Sequence, residues 1–157
     1  MEASEAAYSL IKKWEGLKLK AYICPSGKWT IGWGHTRGVY EGMEITLSIA
    51  ETFIKQDVEM VVKQLNQSLS SVSLRQCQFD ALVCFVFNIG ITKFNTSTLR
   101  KLILKDPESN QIGAELNKWV YGLSSKTSKM EKLPGLIKRR AEEVALYYTY
   151  KTKKHET

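Results

Sequence analysis

The chain switches twice between a helical and a strand-like spacing of its apolar residues. Residues 5–14 set Tyr8, Leu10, Ile11 and Trp14 at helical intervals, and Gly16 stands where such a helix would stop. The next stretch, LKAYICPSGKWTIGWG, brings strand-forming residues on both sides of Pro25, Ser26 and Gly27, which predicts a hairpin. EGMEI offers a third short strand. From Thr46 the helical period returns. Leu47, Ala50, Phe53 or Ile54, Val58, Val61 or Val62 and Leu65 share one side, with Ser48 and Glu51 spaced as a capping box. A second cap, Ser73-x-x-Gln76, opens a segment that is apolar nearly all round over residues 81–87, the pattern of a helix buried in a bundle. Further helices are predicted over residues 98–105, 111–120 and 136–150, divided by DPESN and by a polar loop, GLSSKTSKMEKLPG. KTKKHET reads as a frayed basic tail.

These elements predict an α+β fold. A small hairpin lobe over about residues 15–45 precedes a larger helical lobe over about residues 46–150, with a tail at 151–157, and the cleft between the lobes is the default site. The 157 residues suit one such domain, and no run approaches the ~20 apolar residues of a spanning helix. The first residues lack the basic and then apolar regions of a secretory signal, so the expected place of synthesis and folding is a cytoplasm. Three cysteines, Cys24, Cys77 and Cys84, argue against a disulfide framework, and the last two read as small buried hydrophobes. His35 and His155 are far apart and no Cys pair has zinc spacing, so no metal site is expected. The formal net charge of +7 calls for an anionic partner: nucleic acid, a membrane face or a bacterial cell wall.

The chemistry is concentrated in WEGLKLKAYICPSGKWTIGWGHT. Glu15 ends the first predicted helix, where the macrodipole and the loss of solvent beside Trp14 both favour the protonated carboxyl that a general acid needs. Arg139 or Arg140, on the last helix, would act in the opposite sense if either meets Glu15 across the cleft.

Glu15, Cys24 and Thr30 keep the spacing Glu-x8-Cys-x5-Thr, and GKWTIGWGHT, QFDALVCFVFNIG, TSTLRKL, ELNKWVY and LPGLIKRRAEEVALY follow in order. In these segments the chain resembles the phage-type lysozymes, glycoside hydrolase family 24, over most of its length. The resemblance implies a lysozyme-like fold. It also implies hydrolysis of the β-1,4 bond between N-acetylmuramic acid and N-acetylglucosamine in bacterial peptidoglycan, with cell lysis as the result and no cofactor. Glu15 then matches the general acid and Thr30 the residue that places the attacking water. Cys24 stands where many members carry Asp. A thiol with its ordinary pKa of ~8.5 is only a few per cent ionised at neutral pH, so Cys24 reads as thiolate base, as nucleophile or as polar neighbour of the water. Trp33, His35 and Arg140 are candidate substrate contacts. Trp29 and Trp33 alternate on the hairpin, one for a sugar ring and one for the core; Trp119, Tyr121 and Phe94 are assigned to the core.

The expected enzyme is a monomer that needs neither nucleic acid nor stable membrane association. It waits in the host bacterial cytoplasm and reaches the wall after a holin or another lesion opens the membrane. Three other readings compete: a lytic transglycosylase, a non-catalytic wall-binding module of the same fold, and a nucleic-acid binder, for which no helix-turn-helix or aromatic RNA-binding motif speaks.

Overall fold

A computed structural model describes residues 1–149. The first helix, α1 (Glu5–Glu15), leads into the antiparallel hairpin of β1 (Lys18–Ile23) and β2 (Trp29–Gly32), with Tyr22 opposite Thr30. The helices α2 (Leu47–Ser68), α3 (Gln76–Ile89), α4 (Ile91–Asn95), α5 (Thr98–Lys105) and α6 (Gln111–Leu116) follow. A second hairpin, β3 (Tyr121–Leu123) and β4 (Met130–Lys132), precedes the last helix, α7 (Pro134–Tyr147).

α3 is the axis of the helical body, with α1, α2 and α7 packed around it. Cys77 to Val86 are buried without interruption, as the all-round apolar pattern requires, and Phe87 reaches partly into solvent. α1 rests on α3 through Ala7 and Ile11, and a buried carboxylate fixes its start. Asp80 accepts a hydrogen bond from the Ser4 amide at 2.9 Å and another from the Gln76 side chain at 3.0 Å. The far end of the rod so anchored is Glu15.

Several local expectations shift. The cap of α2 is Thr46, whose hydroxyl accepts from the Ile49 amide, so Ser48 is already helical and Leu47 faces solvent. α3 is capped at Arg75, whose amide donates to the Gln78 side chain at 2.8 Å, so Ser73 stands outside the helix. EGMEI pairs with β1 only through two backbone hydrogen bonds, Ala21 to Met43 and Ile45 to Leu19, and remains an isolated bridge. α6 stops at Leu116, short of the predicted 120. The predicted polar loop holds the β3–β4 hairpin, whose short strands expose Tyr121, Leu123 and Met130 and so carry no burial pattern to read. The expected end of the last helix at residue 150 and the tail 151–157 lie outside the described residues. All three cysteines are free, and Cys77 and Cys84 are buried.

Replacing Asp80 by Ala leaves the Ser4 amide and hydroxyl without their acceptor, while Gln76 keeps the Glu2 carbonyl. The expected loss is about 2 kcal/mol of unfolding free energy, measured as a lower denaturant midpoint with an unchanged slope.

Candidate active site

The macrodipole places partial negative charge at the C-terminal end of α1, where Glu15 sits, so that carboxylate needs a compensating cation. α7 supplies it. Arg139 Nη1 donates to Glu15 Oε1 at 2.9 Å; the guanidinium is 5% exposed and the carboxylate 21%, so only Glu15 is open to a substrate. The other two sides of the guanidinium are also occupied. Nη2 donates to the Cys84 carbonyl at 3.2 Å, and Nε to Glu143 Oε1 at 3.3 Å.

On its other flank Glu15 meets the turn after β2. Ile31 and His35 exchange both backbone hydrogen bonds, at 2.9 Å each, around Gly32, Trp33 and Gly34. Gly34 has φ 76°, and a Cβ at that position would lie 2.7 Å from Glu15 Oε2. Glycine is therefore needed twice over, for the left-handed backbone and for the approach of the carboxylate.

Cys24 closes the first strand. Its amide donates to the Lys28 carbonyl, and its own carbonyl accepts from the Gly27 amide, so Pro25, Ser26 and Gly27 form the tip between them. Sγ lies 2.9 Å from the Ser26 hydroxyl. Hydrogen bonding from Ser26 is the largest influence on the thiol; burial opposes it and the Thr30 hydroxyl adds to it, and together they bring the pKa down to about 7. Thr30 is buried opposite Tyr22, with its hydroxyl donating to the Lys28 carbonyl at 3.0 Å. Burial first, and then the charges of Glu15 and Cys24, push the Tyr22 phenol up, so Tyr22 feels both groups. Cys24 and Thr30 thus share the hairpin with Tyr22, and Glu15, at the end of α1, also acts on Tyr22.

The candidate substrate contacts are placed differently. Trp33 is 8% exposed, with the Lys12 ammonium 4.5 Å from its ring centre, so it belongs to the core. Trp29, half-buried, is the more accessible of the two. His35 is buried and stacked on Phe53, with Nδ1 2.7 Å from Asp57 and Nε2 2.9 Å from the Arg37 carbonyl, leaving no ring nitrogen for a sugar. Arg140 is wholly buried over Phe85, paired with Glu143 at 3.0 Å and donating to Asn88 at 2.6 Å. Its neighbour Arg139, on the adjacent face of the helix, is the one that meets Glu15. Phe94 is buried and Trp119 packs edge-on against Phe85, whereas Tyr121 is 57% exposed on β3. Ser26, Tyr22 and Gly34 were not singled out from the sequence; only the turn signature around Ser26 pointed toward any of them.

A cavity of 170 Å³ continues the site beyond Gly34, lined among others by Thr36 and Arg37 of the turn, Asp57 and Gln64 of α2, and Phe87 of α3. A carboxyl held by a buried cation, with a second ionisable group on the next hairpin and a groove beside it, suits the acid and base chemistry of a glycosidase.

Comparison with known proteins agrees. The phage lysozyme family pattern matches residues 12–143. An endolysin of Acyrthosiphon pisum secondary endosymbiont phage 1 is 45% identical over 147 residues, covering 94% of this chain and 98% of that one. An endolysin of Bacillus phage PZA is 39% identical over 94% of this chain, which spans 55% of that relative's length. The muramidase domain of SpmX from Asticaccaulis excentricus superposes with a TM-score of 0.83 at 34% identity, over 93% of this chain and 97% of that one. The chain belongs to the phage lysozyme family: it is an enzyme of the muramidase kind with a lysozyme-like fold.

Replacing Gly34 by Ala forces a Cβ against the Glu15 carboxylate. The expected result is about a tenfold to hundredfold fall in lytic kcat with a still cooperative thermal transition, read by turbidity clearing and calorimetry on one preparation.

Proposed function

We propose that the protein is an endolysin that hydrolyses the β-1,4 bond between N-acetylmuramic acid and N-acetylglucosamine in bacterial peptidoglycan, with Glu15 as acid and Cys24 as base. The observation that carries this reading is the pairing of a carboxyl fixed between Arg139 and Gly34 with a thiol whose pKa is brought down to about 7. Glu15 gives its proton to the glycosidic oxygen as the bond to the anomeric carbon breaks. A water positioned by the Thr30 hydroxyl attacks that carbon, and the Cys24 thiolate takes the water's proton. A thiol with a pKa near 7 is about half ionised at neutral pH, against a few per cent for an ordinary one, so Cys24 can replace the carboxylate that glycosidases usually place there.

Residues of about 15–45 and about 46–150 serve as the two walls of one domain. The excess of basic residues draws the enzyme to the anionic wall. Among the described residues no helix is long and apolar enough to cross a membrane, which accords with an enzyme held in the host cytoplasm until a holin or another lesion opens the way. On this reading it acts as a monomer.

Glu15→Gln removes the proton donor and keeps an oxygen for Arg139 Nη1, while losing the charge that compensates the buried guanidinium. Permeabilised bacterial cells should clear with the wild type and not with the variant, and clearing by a folded Glu15→Gln protein would refute the assignment.

Cys24→Asp tests the base. The carboxylate is ionised throughout pH 5 to 9, so the ratio of wild-type to variant rate cancels every other ionisation and follows the thiolate alone. Because the thiolate is the active form, that ratio should rise about tenfold per pH unit below about 7 and level off above it. A ratio that is flat with pH would remove Cys24 from the proton transfer.

A further inference from the structure

Glu143 is a carboxylate with no exposed surface, a placement that carries a large desolvation penalty unless cations compensate for it. It lies between two guanidiniums of its own helix, Arg139 at 3.3 Å and Arg140 at 3.0 Å. None of this is needed to cover the core, which an apolar residue would do with less desolvation. The arrangement serves Glu15. With the Cys84 carbonyl, Glu143 fixes the guanidinium plane of Arg139, so that Nη1 alone is left for Glu15.

We propose that Glu143 is a positioning residue that sets, through Arg139, the orientation of Glu15. The inference rests on Glu15 being the acid. Other ionisable groups nearby do not supply this control. Cys84, beside Glu143, is pushed up to about 12 by burial and stays a neutral thiol. Lys13 and Glu142 pair with each other at the start of the groove between α1 and α7. Tyr22 lies in the field of both Glu15 and Cys24, and the Cys24 thiol is held by Ser26. Burial pushes the Glu143 carboxyl up, and Arg140 and Arg139, in that order, oppose this as its two cationic partners.

The test separates the acceptor from the bulk of the side chain. Glu143→Gln keeps an oxygen for Arg139 Nε, whereas Glu143→Leu removes it at similar volume. On a soluble peptidoglycan oligosaccharide, kcat should fall about tenfold in Glu143→Leu with KM unchanged, because Glu143 touches no substrate, and Glu143→Gln should recover most of it. A purely structural Glu143 would lower stability in Glu143→Leu and leave kcat of the folded protein unchanged; that result overturns the proposal. If Glu143→Leu does not fold, Glu143→Asp, which withdraws the acceptor by one methylene, should show the same fall, and an unchanged kcat there overturns the proposal as well. Failure of the underlying reading shows elsewhere, as lysis by Glu15→Gln.

Discussion

The contact between Glu15 and Arg139 is the constraint around which the molecule is arranged. A carboxylate at the C-terminal end of a helix is unfavourable by itself, and a guanidinium buried in a helix bundle is unfavourable by itself. At 2.9 Å each relieves the other, and together they tie α1 to α7 across the body. α3 lies beneath both, contributing the Cys84 carbonyl to Arg139 and the Asp80 carboxylate that anchors the start of α1. The pair is buried on the arginine side and open on the glutamate side, so the reactive group is held rigidly while its solvent-facing oxygen stays available. A site built on helix ends and packed side chains is held more firmly than one built on loops, and glycoside hydrolysis needs its proton donor fixed to within a fraction of an ångström.

In the proposed mechanism the hairpin supplies the other half of the chemistry by a different device. Its tip is a short turn in which Ser26 folds back onto the Cys24 sulfur, and Thr30 on the returning strand stands close enough to act on the same atom. Hydroxyl donors favour the thiolate over the thiol, which is how an uncharged neighbourhood lowers the pKa of a cysteine. Gly34 then lets the turn after β2 close onto Glu15 without a side chain in the way. Backbone geometry thus seats Glu15: one glycine stops α1 and another permits the approach.

Much of this was legible in the sequence, for physical reasons that differ from element to element. α2, α3 and α5 carry apolar periods, and their positions follow from them; Glu15, Cys24 and Thr30 were marked out by the resemblance of their spacing to that of the phage-type lysozymes. The β3–β4 hairpin was not legible, because three-residue strands that bury almost nothing leave no alternation. The caps of α2 and α3 fell two residues from the predicted ones, since Thr46 and Ser48 are both good caps and only tertiary packing selects one. Trp33 and His35 lie close to Thr30 in sequence, yet the tight turn at Gly32 and Gly34 directs both inward. Arg139 and Arg140 are adjacent in sequence but about 100° apart around α7, and which of them faces Glu15 depends on the rotation of that helix on α3. Glu143 gave no signal at all, since a Glu in an amphipathic helix ordinarily points to water.

The central claim, direct attack by a water that Cys24 deprotonates while Glu15 protonates the leaving oxygen, is tested most directly by the configuration of the newly formed reducing end. Proton NMR of a soluble peptidoglycan oligosaccharide, recorded before the anomers equilibrate, should show the α-anomer first, because a single displacement inverts the β-linkage. An initial β-anomer would mean that Cys24 forms a covalent glycosyl intermediate, and an anhydro end would mean that no water attacks; either would contradict the account.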